Sequence, residues 1–216
     1  MALMRILPFI ISLVLLFLAG CSPLNYSPEK PIAQYYARLN VPPPRTIKKF
    51  NICNQQACTG QAEVGFTAEQ WHQILQLFTP AAPSAARERE QIAVAIGMME
   101  QFTGPQANTF ADQACNNLKE PLESFQLDCI AEATNSTTYL RLLEQQGLLR
   151  WHRVSYPARR ALFAFLVPHS TAVVRQVNSG ELYAIDSWFH ANGKKAVVVP
   201  LELWLQNYYP GPCLPK

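Results

Sequence analysis

The chain has 216 residues, 49% of them apolar, a formal net charge of +3 and six cysteines. That length supports one domain with a sizeable core. The small charge, with no Lys/Arg block, excludes a nucleic-acid face, and the absence of a glycine-rich phosphate loop, an internal repeat or a spaced ligand set argues against a cofactor or metal. Nothing in the pattern fixes an oligomeric state.

The first element is Arg5 followed by an apolar run from position 6 to 18. A basic start and a hydrophobic stretch too short to span a bilayer comfortably have the form of an export signal. The run closes on Leu18-Ala19-Gly20-Cys21, which resembles the lipobox of bacterial lipoproteins. The resemblance implies cleavage before Cys21, a diacylglycerol thioether on its sulfur and acylation of the new amino terminus. Two or three acyl chains anchor far more firmly than one. Ser22, rather than Asp, follows the cysteine, which by the same resemblance directs the protein to the outer membrane facing the periplasm. Residues 1–20 are thus read as a signal peptide. Residues 21–46, with Pro42, Pro43 and Pro44, are read as a lipidated cysteine and an extended Pro-rich tether, and 47–216 as the folded domain.

In an oxidising periplasm accessible cysteines pair. Besides Cys21 there are Cys53, Cys58, Cys115, Cys129 and Cys213, an odd number that leaves at least one thiol over. Cys53 and Cys58 are close enough to close a short loop. A Cys115–Cys213 pair would then leave Cys129 free, one connectivity among the many that five cysteines allow. A zinc site at Cys53-x4-Cys58 would need two further ligands, and none stands at a suitable spacing.

Trp71, Ile74, Leu75 and Phe78 predict a helix over 69–78, capped by Thr67 or Ala68 and stopped near Pro80. Ser84 predicts the start of a second, over 85–102, with Ile92, Ile96, Met99 and Phe102 on one stripe and Gly104-Pro105 as its end. A polar loop is expected from 106 to about 123. A third helix runs from Asp128 through Ile130, Ala133, Thr137, Leu140 and Leu143 to Gln146, with Gly147 as C-cap. Strands are expected over 149–154, 161–167, 171–177 and 181–185, the last two joined by the hairpin turn Asn178-Ser179-Gly180. A short strand at 197–199 and a helical turn at 201–205 precede the Pro-rich tail. Helices first and an antiparallel sheet afterwards give an α+β fold class.

Cys129 falls in the first turn of the third helix. The free N–H groups and positive dipole end there stabilise a thiolate, so a lowered thiol pKa is expected, and its own backbone N–H is available to an oxyanion. A cysteine nucleophile also needs a base and a group to orient it. His169 begins one strand of the hairpin and Asp186 ends the next, placing imidazole and carboxylate within cross-strand reach. His190 is an alternative base if the register differs. His152 reads as structural, His72 as a surface or packing residue, and the Gln126 side chain as a further oxyanion donor.

The order Cys, His, Asp, on a helix followed by a hairpin, resembles the transglutaminase-like branch of the papain-type fold. Gln126-Leu127-Asp128-Cys129-Ile130, Glu132-Ala133-Thr134-Asn135, Thr137-Thr138-Tyr139-Leu140, the stretch Leu148-Leu149-Arg150-Trp151-His152, His169 and Asp186-Ser187-Trp188 are similar to the bacterial transglutaminase-like cysteine proteinases. The resemblance covers roughly residues 84–205. Two positions depart from it: Ser170-Thr171-Ala172-Val173 stands where a small residue and Trp often follow the histidine, and Ala131 where close relatives carry an acid. It implies Cys129 as nucleophile, His169 as general base, Asp186 as the orienting carboxylate and a protein or peptide substrate. The expectation is a lipid-anchored envelope thiol enzyme that cleaves or transfers an amide or peptide bond. The competing one is a non-catalytic periplasmic binding or scaffold lipoprotein that keeps the fold. Thiol–disulfide exchange is disfavoured, because Cys53-x4-Cys58 lacks the two-residue spacing of redox motifs.

Overall fold

A computed structural model describes residues 26–116, 125–160, 168–210 and 213. The signal peptide, Cys21 and the strand expected over 161–167 lie outside the described residues. No helix among them is long and apolar enough to cross a membrane.

In chain order the elements are α1 (Ile32–Leu39), β1 (Phe50–Cys53), a 3-10 turn (Gln56–Cys58), β2 (Gln61–Val64), α2 (Ala68–Leu77), α3 (Ala85–Ala107), α4 (Cys129–Gln145), β3 (His152–Arg160), β4 (His169–Gln176), β5 (Leu182–Asp186), β6 (Val197–Pro200) and α5 (Leu201–Leu205). The architecture is α+β. One antiparallel sheet runs β3-β4-β5-β6, and β1 pairs antiparallel with β2 in a small second sheet.

The centre of the molecule is α4, which packs against α3, β1, β3, β4 and the 3-10 turn. Twelve of its 17 residues are buried, five of them the Ser, Thr and Asn side chains of positions 134–138. Such side chains enter a core only when their polar atoms are satisfied. Thr134 and Thr137 hydroxyls donate to the carbonyls one turn back, at 2.7 and 2.6 Å. Asn135 brackets Cys53, accepting from its N–H at 2.7 Å and donating to its carbonyl at 2.9 Å. Asn135→Ala orphans both of those buried backbone groups. It is expected to cost about 2–4 kcal/mol in a urea or thermal unfolding measurement.

The remaining helices follow their sequence signals closely. Thr67 and Gln70 form a capping box at the start of α2, and Ser84 caps α3 through the Arg87 N–H. The expected stop at Gly104-Pro105 is overturned, since α3 runs on to Ala107. Gly97 and Gly104 lie two turns apart, where the loop at 192–195 crosses the helix. A Cβ at Gly97 would sit 2.5 Å from the Lys194 carbonyl oxygen. Asn192 packs on Gly104 in the last turns, and Pro105 removes only the backbone bond to Gln101, an exposed residue.

Three further expectations change. Strands β1 and β2, four residues each, were not foreseen; a disulfide between Cys53 and Cys58 closes the turn that joins them. The strand expected over 149–154 starts later and runs through Pro157, because the β3–β4 register slips between Ser155 and Ala158. Proline is tolerated at such a bulge on an edge strand. Finally, the segment read as an extended tether contains α1, whose Tyr35 and Tyr36 hydroxyls reach Thr134 and Thr138 on α4 at 2.9 and 3.1 Å. Two buried aromatic side chains dock this segment on the domain.

Candidate active site

The β4–β5 hairpin turns at Asn178-Ser179-Gly180, where Gly180 has φ +76°, and pairs Ala172 with Ile185. One step further along that register Thr171 faces Asp186, so His169 reaches Asp186 diagonally. Their side chains meet, with His169 Nε2 2.8 Å from Asp186 Oδ2. Trp204 on α5 donates its indole N–H to the same oxygen at 2.7 Å. Both His169 and Asp186 are only 2% exposed. The imidazole is packed by Trp188, Phe189, Trp204 and Tyr209, with ring centroids 4.7, 5.2, 5.4 and 6.2 Å away.

Cys129 is half-buried at the first residue of α4 and is the free cysteine among the described residues. Disulfides join Cys53 to Cys58 and Cys115 to Cys213. Asp128 caps α4 through the Ala131 N–H, also takes the Ala57 N–H, and so fixes the helix start. The Cys129 sulfur lies 3.7 Å from the Pro168 carbonyl oxygen, and Ser170 turns its backbone N–H and hydroxyl toward it. The sulfur therefore rests on the two chain neighbours of His169, Pro168 just before β4 and Ser170 within it. Of the expected triad, histidine and aspartate are hydrogen-bonded, and the cysteine is carried to the same strand start.

The thiol is not depressed as a helix start suggests. Burial pushes it up to about 12, helped by the carboxylates of Asp128 and Asp186 and opposed by Ser170. Desolvation of a thiolate and two nearby negative charges outweigh a dipole end. The resting group is a neutral thiol.

Gln126 is pinned to the preceding loop. Its side-chain nitrogen donates to the Ala111 carbonyl at 3.1 Å and its oxygen accepts the Gln113 N–H at 3.0 Å. His190 bonds the Lys195 carbonyl at 2.8 Å and lines a separate hollow of about 660 Å³ between α3 and β6. None of Cys129, His169 and Asp186 lines that hollow. His152 is buried on Glu88 at 2.9 Å, and His72 is exposed.

Nothing matches by comparison. No family model, curated protein or solved structure is found to be similar to the chain.

Trp204 and Tyr209 enter the site without a signal in the sequence, and Ser170 and Ser187, which flank the expected histidine and aspartate, enter it with no role assigned beforehand. Ser187 belongs to a buried group behind it. Its hydroxyl donates to Glu132 on α4 and lies 3.0 Å from the Ser136 hydroxyl. Asp112 accepts the Leu127 N–H at 2.6 Å, and Glu100 the Gly193 N–H at 3.2 Å. Burial pushes Glu100 up to about 8 and Asp112 to about 6, and raises Glu132 well above the ordinary carboxylate range, with the charges of Glu100 and Asp112 adding to it. The folded chain thus keeps protons that unfolded carboxylates release near pH 4. Stability held below that range is lost as pH rises toward 8. Glu100→Gln, neutral at every pH, is expected to raise the melting temperature by several degrees at pH 8 and by little at pH 5 in paired calorimetric scans.

Proposed function

We propose that the chain is a lipid-anchored envelope thiol enzyme, built on a papain/transglutaminase-like fold, that cleaves or transfers an amide bond through Cys129, His169 and Asp186. The observation that carries the reading is the buried His169–Asp186 bond on adjacent strands, with a helix-start cysteine seated on the residues that flank the histidine. With Nε2–H donating to Asp186, the Nδ1 lone pair is the one available as a base. It takes the Cys129 proton as sulfur attacks the carbonyl carbon, which suits a thiol that is neutral at rest. The oxyanion accepts from the Cys129 backbone N–H, one of the helix-start donors without an intrahelical partner. His169 then returns the proton to the leaving amine. The thioester is released by water in a protease or amidase, or by a second amine in a transglutaminase.

The unactivated thiol favours the alternative, a binding or scaffold lipoprotein that keeps the residues without using them. Peptidyl chloromethyl ketones separate the two, because base and cleft make sulfur displace chloride, forming a thioether, far faster than an unassisted thiol does. Labelling of Cys129, read by mass spectrometry, is expected in the wild type and lost in His169→Gln, which fills much of the buried space, at a temperature where circular dichroism shows the variant folded. Labelling indifferent to His169, or none, would overturn the enzyme reading. For the anchor, Cys21→Ser is expected to move the protein from the detergent to the aqueous phase.

A further inference from the structure

A cleft of about 200 Å³ has Ser170, whose backbone N–H and hydroxyl face the Cys129 sulfur, and Tyr35, which senses the thiolate charge, in its wall; Cys129, His169 and Asp186 lie behind that wall rather than in it. One side is the docked N-terminal segment, which contributes Tyr26, Lys30, Tyr35 and Arg38; the other is the β3 bulge, which contributes Tyr156 and Arg159. The two walls are tied together where Tyr26 donates to the Tyr156 carbonyl at 2.6 Å. The cleft's volume suits one or two substrate side chains.

The lining carries three cations and no carboxylate. Among the described residues none of the three is in an ion pair, although other surface cations, such as Arg87 and Arg175, are. Lys30 and Arg38 instead lie over rings of the cleft, 5.8 Å from the centroid of Tyr156 and 5.5 Å from that of Tyr35. The Tyr26 and Tyr35 phenols are uncharged, burial raising the pKa of both further, and Glu29, the carboxylate that acts on Tyr26, is paired with Arg175 rather than with a cleft cation. A concave site with unneutralised cations, held by aromatic faces, selects an anion.

We infer that this cleft is the substrate subsite of Cys129 and that it takes a peptide segment bearing a carboxylate side chain beside the scissile amide. The inference rests on the thiol-enzyme reading above. Three matched peptidyl chloromethyl ketones, with Glu, Gln or Lys next to the reactive group, test it on the detergent-solubilised full chain. The Glu probe is expected to label Cys129 about tenfold faster than the Gln probe, the size that a few partly exposed charge pairs supply together. The advantage shrinks in high salt. In Lys30→Gln/Arg38→Gln/Arg159→Gln the Glu-to-Gln ratio falls toward one. Equal rates for all three probes on the wild type would overturn the subsite while leaving the enzyme reading intact.

If no probe labels Cys129, fluorescence anisotropy of a labelled tri-glutamate peptide decides without chemistry. Binding that the triple variant weakens keeps the anionic subsite and discards only the enzyme. Absence of binding overturns the subsite. So would binding of the Cys21→Ser chain to phosphatidylglycerol but not phosphatidylcholine vesicles, with none of the peptide, since the cations would then serve the bilayer.

Discussion

Asp186→Asn is expected to leave the protein folded and to slow the labelling of Cys129 by about 10⁴, the loss such a change causes in serine-based triads. Asp186 Oδ2 receives two donors, His169 Nε2 and Trp204 Nε1. An asparagine oxygen still satisfies the indole, so the buried packing survives. The substitution removes the charge that stabilises the imidazolium formed when His169 takes the thiol proton. Turned over, the amide faces Nε2 with its N–H instead, which favours the tautomer with its proton on Nδ1 at the cost of the indole's partner. That nitrogen then has no lone pair for the thiol. Melting temperature and labelling rate, measured on one preparation, separate the two effects. A variant labelled as fast as the wild type would remove Asp186 from the chemistry.

Loss of the Cys115–Cys213 disulfide is expected to be the largest blow to stability. It closes a loop of 98 residues, and constraint of so long a loop in the unfolded chain is worth about 4–5 kcal/mol. For a chain of this size that corresponds to a melting temperature roughly 10–20 °C lower in Cys115→Ser/Cys213→Ser. The bond between Cys53 and Cys58 spans only 5 residues and is worth much less on the same argument. The long-loop bond also fastens the tail over the site. Tyr209 stacks on His169, and the buried Arg160 guanidinium lies 4.4 and 4.5 Å from the Trp204 and Tyr209 rings while donating to the Trp204 and Tyr208 carbonyls. The double variant should therefore lose Cys129 labelling below its new melting point. A drop of only a degree or two would refute the loop argument.

The parts of the fold that could be read in advance are those whose signal is local. Ser84 and the 92-96-99 stripe announce α3, and Asn178-Ser179-Gly180 announces the hairpin that brings His169 to Asp186. Where tertiary contacts decide, local rules mislead. Pro105 is carried inside α3 by loop packing on Gly97 and Gly104. The Ser/Thr/Asn run of α4 carries no apolar signal at most of its positions, yet its hydroxyls are paired in the core. The thiol of Cys129 shows the same conflict, because position on a helix suggests its dipole but not its desolvation. Trp204, 18 residues beyond the aspartate it bonds, carries no pattern that connects them.

The docking of α1 bears on where such a catalyst could work. Tyr26 is already fastened to Tyr156, and it stands only five positions beyond Cys21. Even at full stretch that length covers about 17 Å. With lipid on Cys21, the cleft wall would be confined to the depth of the headgroup layer and its immediate margin. Substrates would then be met by lateral diffusion along the bilayer: proteins whose cleavable segments emerge at its surface, rather than peptides free in the bulk.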